Sequence, residues 1–475
     1  MESLPFESIY VGGQWIQPDT RKTIAVENPA TEEVVANVPA CGRDDVRRAV
    51  ESARAAFPEW SATDAATRAE TLTSLRDALV KNQEELSELI TREMGSPIAF
   101  SRRVQVGLPV KALEGYAEAL AAATAEERIG HSLVVREAAG VVAAVTPWNY
   151  PLHQAVAKIG AALAAGCTMV LKPSELAPLS ACFLATLIDG LGLPAGTFNL
   201  VQGEGRAAGQ ALVTDEGADV ISFTGSVRVG REVGAAAGQA VKRACLELGG
   251  KSATLVLDGA DLAAAVRDGV RGALLNAGQT CSARTRLLVP RSRLEDAVDV
   301  ARSVVAQYVP GDPTDPDCAL GPLISAAQAD NVRERLYRAA DRGARRVAGP
   351  DPGQVPTVGH YVAPSVWTDL APSAPLAREE IFGPVLVVLP FEDEDEAVSI
   401  ANGTPYGLAA TVWAGDTEHA AAVGRRLRAG QVDLNAAKFN PAAPFGGYGL
   451  SGVGRELGRH GIQEFQEVKS LQFPA

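Results

Sequence analysis

Two side chains in this sequence have the chemistry for nucleophilic catalysis. Cys281 stands in the small-residue loop Gly278-Gln279-Thr280-Cys281-Ser282, and Glu247 opens the turn Glu247-Leu248-Gly249-Gly250, 34 positions earlier. An ionised cysteine is a strong nucleophile, and a carboxylate can serve it, or a water, as a general base. Taken alone the pair is equally a buried apolar cysteine and an acidic turn residue. Its meaning depends on what the remaining chain brings to it.

Other segments carry chemistry at the ends of apolar runs. Thr146-Pro147-Trp148-Asn149-Tyr150-Pro151 follows one run and precedes a helix, so Asn149 can present a neutral amide donor; a proline-rich turn is the plainer reading. Lys172-Pro173-Ser174-Glu175 ends the next run and can hydrogen-bond ribose hydroxyls, or form a surface ion pair. Phe223-Thr224-Gly225-Ser226-Val227-Arg228-Val229 opens a helix with small residues, which lets backbone N–H groups approach an anion. Gly205, in Gly203-Glu204-Gly205, adds a second glycine-rich turn, although neither segment is GxGxxG. Glu380-Ile381-Phe382-Gly383-Pro384 and Pro444-Phe445-Gly446-Gly447-Tyr448 are rigid turns in the second half.

These segments are spaced by elements whose pattern is regular. Apolar runs at 141–145, 168–171, 198–201 and 220–223 alternate with helical patterns at 153–165, 180–191 and 206–213. Short continuous apolar strands separated by helices predict βαβ units around a parallel sheet, with ligands beyond the carboxyl ends of the strands. The rhythm returns at 253–257, 287–290, 385–391, 411–413 and 432–434, with helices at 261–276 and 326–342. A second α/β unit therefore contains Cys281, and the boundary near Gly249-Gly250 falls between the two reactive groups. Upstream, 11–15 reads as a Gly-Gly hairpin, 43–57 and 63–94 as helices, 111–125 as an Ala-rich helix and 131–137 as an extended segment.

The chain has 475 residues, 47% apolar and 21% charged, which suits a soluble protein of two or three domains. A net charge of −13 argues against nucleic acid, which needs a basic face. The beginning of the sequence lacks a signal-peptide pattern and no clean ~20-residue apolar span occurs, so membrane insertion is not expected. Six scattered cysteines give neither a disulfide framework nor a zinc site, no metal is expected, and a reducing cytoplasm is the expected setting.

In order and spacing, the segments 146–151, 172–175, 223–226, 247–250, 278–281, 380–384 and 444–447 together resemble the aldehyde dehydrogenase superfamily over nearly the whole chain. The resemblance implies a Rossmann-like cofactor domain (1–126 and 140–249), a second α/β catalytic domain (250–450) and a small β oligomerisation extension (127–139 and 451–475). It implies Cys281 as nucleophile, forming a thiohemiacetal and then a thioester, with Asn149 and the Cys281 backbone N–H holding the oxyanion. Glu247 matches the residue that activates water to hydrolyse the thioester; CoA-acylating relatives generally lack it, so a free acid is the expected product. A CoA-acylating enzyme and a silent binding homologue are the alternatives.

The cofactor positions implied are Thr146, Pro147, Trp148, Lys172, Ser174, Glu175, Gly205, Phe223, Thr224, Gly225, Ser226, Val229, Leu248, Gly249, Gln328, Glu380 and Phe382. NAD is expected over NADP because Glu175 would repel a 2′-phosphate. Gln154, Ala157, Thr280, Ser282, Phe439 and Phe445 are the implied substrate positions. With His153 and Gln154 polar and Ala157 small, a medium-sized aldehyde with a distal polar group is the expected substrate. Gly449 replaces the basic residue usual after Phe-Gly-Gly-Tyr. A homodimer or homotetramer, built through 127–139 and 467–473, is the expected assembly.

Overall fold

The computed structural model describes residues 4–122 and 126–474. The strands Val141–Val145, Thr168–Lys172 and Val220–Thr224 are buried at every position, as strands covered on both faces must be. With Phe198–Leu200 and Arg243–Glu247 they form five parallel strands, with Val141–Val145 at the centre. Chain order departs to both sides of that central strand, so the crevice at its carboxyl end is the topological switch point of a Rossmann-like sheet. Antiparallel edge strands close the sheet: the hairpin Ile9–Val11 and Gln14–Ile16 on one side, Gly452–Val453 on the other.

The helix Pro151–Ala165 is buried along all 15 residues, because it is apolar around most of its circumference and its Lys158 is paired inside the protein. Proline starts it, where a missing N–H costs nothing, and Gly166 ends it at φ 88°. Against it pack the helices Ala65–Lys81, Gly107–Ala121 and Leu179–Asp189, while Arg43–Ser61 covers the opposite face of the sheet.

A second sheet orders its strands Arg345–Ala348, Ser365–Thr368, Val385–Phe391, Arg286–Pro290, Ala253–Val256, Ala409–Trp413 and Gln431–Leu434, all parallel except the first. The two units meet asymmetrically. The first offers residues just after its strands; the second offers residues just before them, Cys281 ahead of Arg286–Pro290 and Glu380 ahead of Val385–Phe391. The expectation of carboxyl-end binding therefore describes one half of the junction only.

A third sheet joins Glu126–Ile129, Ser132–Ala138 and Gln466–Gln472. Several expectations need correction. Residues 452–465, assigned to the bridging segment, pack on the first unit: Gly452 pairs with Glu247, and the helix Gly458–Gln463 sits against Gly107–Ala121 and Pro151–Ala165. The helix expected over 261–276 stops at Leu274, because Asn276 and Ala277 turn left-handed. The segment 206–213 opens as a π-helical turn, Gly205–Gly209. The helix expected over 111–125 ends at Ala121, and 123–125 lie outside the described residues.

Candidate active site

Glu247 is the last residue of its strand and stands beside Thr224, the last residue of the neighbouring one. Asn149 follows the central strand. These groups, with Pro147, Trp148, Gly225, Ser226, Gly249, Cys281, Gln328, Glu380 and Phe382, line one cavity of about 310 Å³ at the domain junction. Groups separated by up to 235 positions in sequence thus converge on one space.

The cysteine loop owes its shape to three consecutive left-handed residues, Asn276 (φ 54°), Ala277 (φ 56°) and Gly278 (φ 74°). For a non-glycine residue such a conformation costs about 1–2 kcal/mol, and it persists only where the surroundings enforce it. A Cβ on Gly278 would lie 1.9 Å from the Gly383 carbonyl oxygen, so only glycine lets the loop pass that close. The loop is then fastened to the first unit. The Asn149 Nδ2 donates to the Gln279 carbonyl (3.0 Å), and the Tyr150 and Thr280 hydroxyls hydrogen-bond at 2.7 Å. Cys281 is left partly exposed at the cavity, whereas Cys41, Cys167, Cys182 and Cys245 are buried.

Burial, then the charge of Glu456, pushes the Glu247 carboxyl well above the ordinary carboxylate range. Neither of its oxygens has a hydrogen-bond partner among the described residues. The Cys281 thiol is near enough to influence it without meeting hydrogen-bond geometry. Burial and then Glu247 raise the Cys281 thiol in turn, so its resting form is the neutral thiol. Behind Glu247 lies a buried ion pair that sequence inspection missed. Lys158, from the enclosed helix, donates to Glu456 and to Thr224 Oγ1 (2.8 Å). The partners are 298 residues apart, and nothing in either local pattern announces the pairing.

Glu380 is nearly buried, accepts from the Gly250 N–H (3.2 Å), and is raised to about 7 by burial. Gly249 makes room for it, since a Cβ there would stand 2.1 Å from its Oε2. Phe382 holds φ 58° and packs edge-on to Trp148 at 5.4 Å. Gln328 keeps it there, donating to the Phe382 carbonyl at 2.8 Å.

A second cleft of about 560 Å³ is lined by Val145, Glu175, Gly205, Phe223, Val229 and their neighbours. Glu175 accepts from Lys172 Nζ (3.1 Å) and from the Gly205 N–H (3.3 Å); Lys172 is otherwise buried. Ser226 caps the helix Val227–Gln239, accepting from Val229 N–H, and the remaining first-turn N–H groups and the helix dipole favour an anion at this end. The fit to a dinucleotide rests on this: two clefts, a helix N-terminus between them, and a carboxylate at each end. Thr146, Ser174 and Leu248 are buried beside the clefts and line neither. Leu248 packs under Gly230, and Ser174 Oγ accepts from Leu176 N–H.

The substrate positions scatter more. Gln154 and Ala157 are buried in the enclosed helix and do not line the 310 Å³ cavity. His153 beside them is held neutral, its pKa lowered to about 4 by burial. Thr280 and Ser282 flank Cys281, and Phe439 packs edge-on to Phe445 at 5.9 Å. Asn331, on the helix Ala326–Asp341, lines the cavity and was missed; its helical register with Gln328 was the available signal. Among the described residues no group of three or more His, Cys, Asp or Glu could hold a metal, and no helix is long and apolar enough to cross a membrane.

The aldehyde dehydrogenase family profile matches residues 15–471. A 3-succinoylsemialdehyde-pyridine dehydrogenase from a Pseudomonas species is 43% identical over 98% of both chains, and a geranial dehydrogenase from Castellaniella defragrans is 39% identical over 99% of both. Among solved structures, a cysteine-to-alanine variant of aldehyde dehydrogenase C from Pseudomonas syringae, complexed with NAD+ and octanal, is 44% identical. It superposes with a TM-score of 0.97 over 99% of this chain and 98% of that one. An NAD+ complex of the Bacillus cereus enzyme is 36% identical, with a TM-score of 0.95 over 98% and 96%. With a matching profile across almost its full length and relatives of this identity, the chain belongs to the aldehyde dehydrogenase family and is an NAD(P)-dependent oxidoreductase of that family.

Proposed function

We propose that the protein oxidises an aldehyde to the free carboxylic acid, with Cys281 as nucleophile, Asn149 as oxyanion donor and Glu247 as the base for hydrolysis. The observation that carries this reading is the shared cavity: a mostly buried thiol that reaches the cavity, a neutral amide and a carboxylate without hydrogen-bond partners, all at one junction. The Cys281 thiol loses its proton to the adjoining carboxylate as Sγ adds to the carbonyl carbon, and the resulting oxyanion lies between the Asn149 amide and the Cys281 N–H. NAD, held between Glu380 and the Phe382 and Trp148 rings, would supply the hydride acceptor for that carbon. After releasing that proton to solvent, Glu247 draws a proton from water as its oxygen attacks the thioester carbonyl; the C–S bond breaks and the proton passes to Sγ, returning the thiol and the free acid. A buried, raised carboxyl suits a base that must give its proton back; burial raises its proton affinity most, Glu456 raises it further and Lys158 lowers it.

Residues would hold the dinucleotide from both ends: Lys172 and Glu175 at the adenine-side ribose, Ser226 at the pyrophosphate, and Glu380 at the nicotinamide-side ribose, with Phe382 and Trp148 walling the ring. Glu175, already pinned by Lys172 and the Gly205 N–H, disfavours a 2′-phosphate and so favours NAD. The octanal complex of the Pseudomonas syringae enzyme and the names of the terpenoid and pyridine-containing relatives support a medium-sized, largely apolar aldehyde. A cytoplasmic dimer or tetramer completes the proposal. The oligomer is supported by exposed Ile129, Val468 and Leu471 on the small third sheet and by exposed Phe473 just past it.

Two substitutions test the assignment. Cys281→Ala should abolish NADH formation from every aldehyde in a panel, and residual turnover would overturn it. Glu247→Gln should give a single-turnover burst of NADH and then stall; full steady-state turnover would remove Glu247 from deacylation.

A further inference from the structure

The main-chain carbonyl of Asn149 receives two buried side-chain amides, one from each unit. Gln105 Nε2 donates at 3.0 Å from the π-helical segment Ser101–Val106, and Asn276 Nδ2 donates at 2.9 Å from the cysteine loop. The same Asn276 nitrogen donates to the Gln279 carbonyl at 3.3 Å, the group that also accepts from Asn149 Nδ2 at 3.0 Å. Both partners of Asn276 are carbonyls, so its nitrogen must face them and its orientation is fixed by chemistry. With one Asn149 N–H committed to Gln279, the remaining N–H has a single direction available.

Asn276 reaches these carbonyls from a left-handed backbone (φ 54°, ψ 39°), and it is buried. Asparagine tolerates that conformation better than most residues, because its short amide hydrogen-bonds locally. A strained, buried residue spanning the two segments that carry the amide donor and the thiol is a feature expected where geometry matters to chemistry.

We propose that Asn276 is a positioning residue of the oxyanion site, clamping the Asn149 and Gln279 carbonyls together so that the free Asn149 N–H points at the oxygen that becomes negative. Gln105 is its companion from the other side. This rests on the assignment of Asn149 as oxyanion donor. It concerns the donor's aim, and leaves the nucleophile and base unchanged.

The test is a double-mutant cycle in the intact enzyme. Asn276→Gly keeps the left-handed backbone without strain and removes only the amide. It should lower kcat for aldehyde oxidation by about 10–100-fold, the scale of a misaimed donor, while KM for NAD stays within about twofold. Asn149→Ala should lower kcat by ~10²–10³. In the Asn149→Ala background, adding Asn276→Gly should cost less than about twofold, because the donor it aims is gone. Gln105→Leu, on a separate element, should show the same loss of effect in that background. Multiplying factors, or an Asn276→Gly enzyme as fast as wild type, would overturn the inference while leaving Asn149 in place. If Asn149→Ala were itself fully active, the oxyanion assignment would fall, and the inference with it.

Discussion

Gly249→Ala separates the cofactor end of the site from its covalent chemistry. A Cβ at this position would stand 2.1 Å from Glu380 Oε2 and 2.4 Å from its other carboxylate oxygen, whereas real Cβ atoms stay beyond 3.0 Å. The carboxylate must therefore retreat by about 1 Å, and a misplacement of that size typically costs ~10² in catalytic efficiency. Retreat also strains the Glu380 hydrogen bond from the Gly250 N–H. The backbone of Gly249 is not left-handed, and the atom that moves is the end of a flexible side chain, so folding should survive with a Tm shift of only a few degrees. The assay varies NAD at saturating aldehyde and measures ester hydrolysis by Cys281 without cofactor. The expected result is a fall of about 10–100-fold in kcat/KM for NAD, with ester hydrolysis within about twofold of wild type. Unchanged kcat/KM for NAD would refute the placement of Glu380 at the cofactor, and equal loss of both activities would show that the substitution damaged the whole site.

Two further substitutions address buried charge. Glu93 is fully buried, its carboxylate capping the helix Leu179–Asp189 through the Leu179 and Ser180 N–H groups, and burial raises it to about 7. Its folded value exceeds its unfolded one, so its contribution is full below about pH 4.5 and is lost as pH rises through about 7. Urea midpoints should fall between pH 5 and pH 8 by an amount that Glu93→Gln reduces, up to ~3 kcal/mol at the limit; an identical pH slope in the variant would count against it. Lys158→Met leaves Glu456 buried without its cation and should destabilise by about 3–5 kcal/mol. It should also displace the acid limb of deacylation to higher pH, because Lys158 lowers the proton affinity of Glu247 and the base works only unprotonated; a variant with wild-type stability would show that the pair is solvated.

Periodicity located the elements around the site well, because their burial is local in origin. Strand Val141–Val145 is apolar at every position, and helix Pro151–Ala165 is apolar at all but His153, Gln154 and Lys158, so both are enclosed. Ends were less legible. The helix Leu262–Leu274 stops two residues early because the left-handed Asn276 and Ala277 are enforced by the Gly383 backbone and the Asn149 turn, both distant in sequence.

By itself, then, the sequence determined which residue types could react and roughly where they stood: a cysteine and a glutamate on either side of a domain boundary, with amides and glycines after apolar strands. That much follows from hydrophobic pattern, turn chemistry and motif spacing. Only the tertiary structure decided that the second unit meets the site with the amino ends of its strands. It alone also paired Lys158 with Glu456, seated Glu380 in the space Gly249 leaves, and clamped Asn149 between Gln105 and Asn276. The reason is physical. Periodicity reports how a segment divides between core and solvent, whereas hydrogen bonds and the energy of a buried charge depend on which atoms lie within a few ångströms, whatever their separation along the chain.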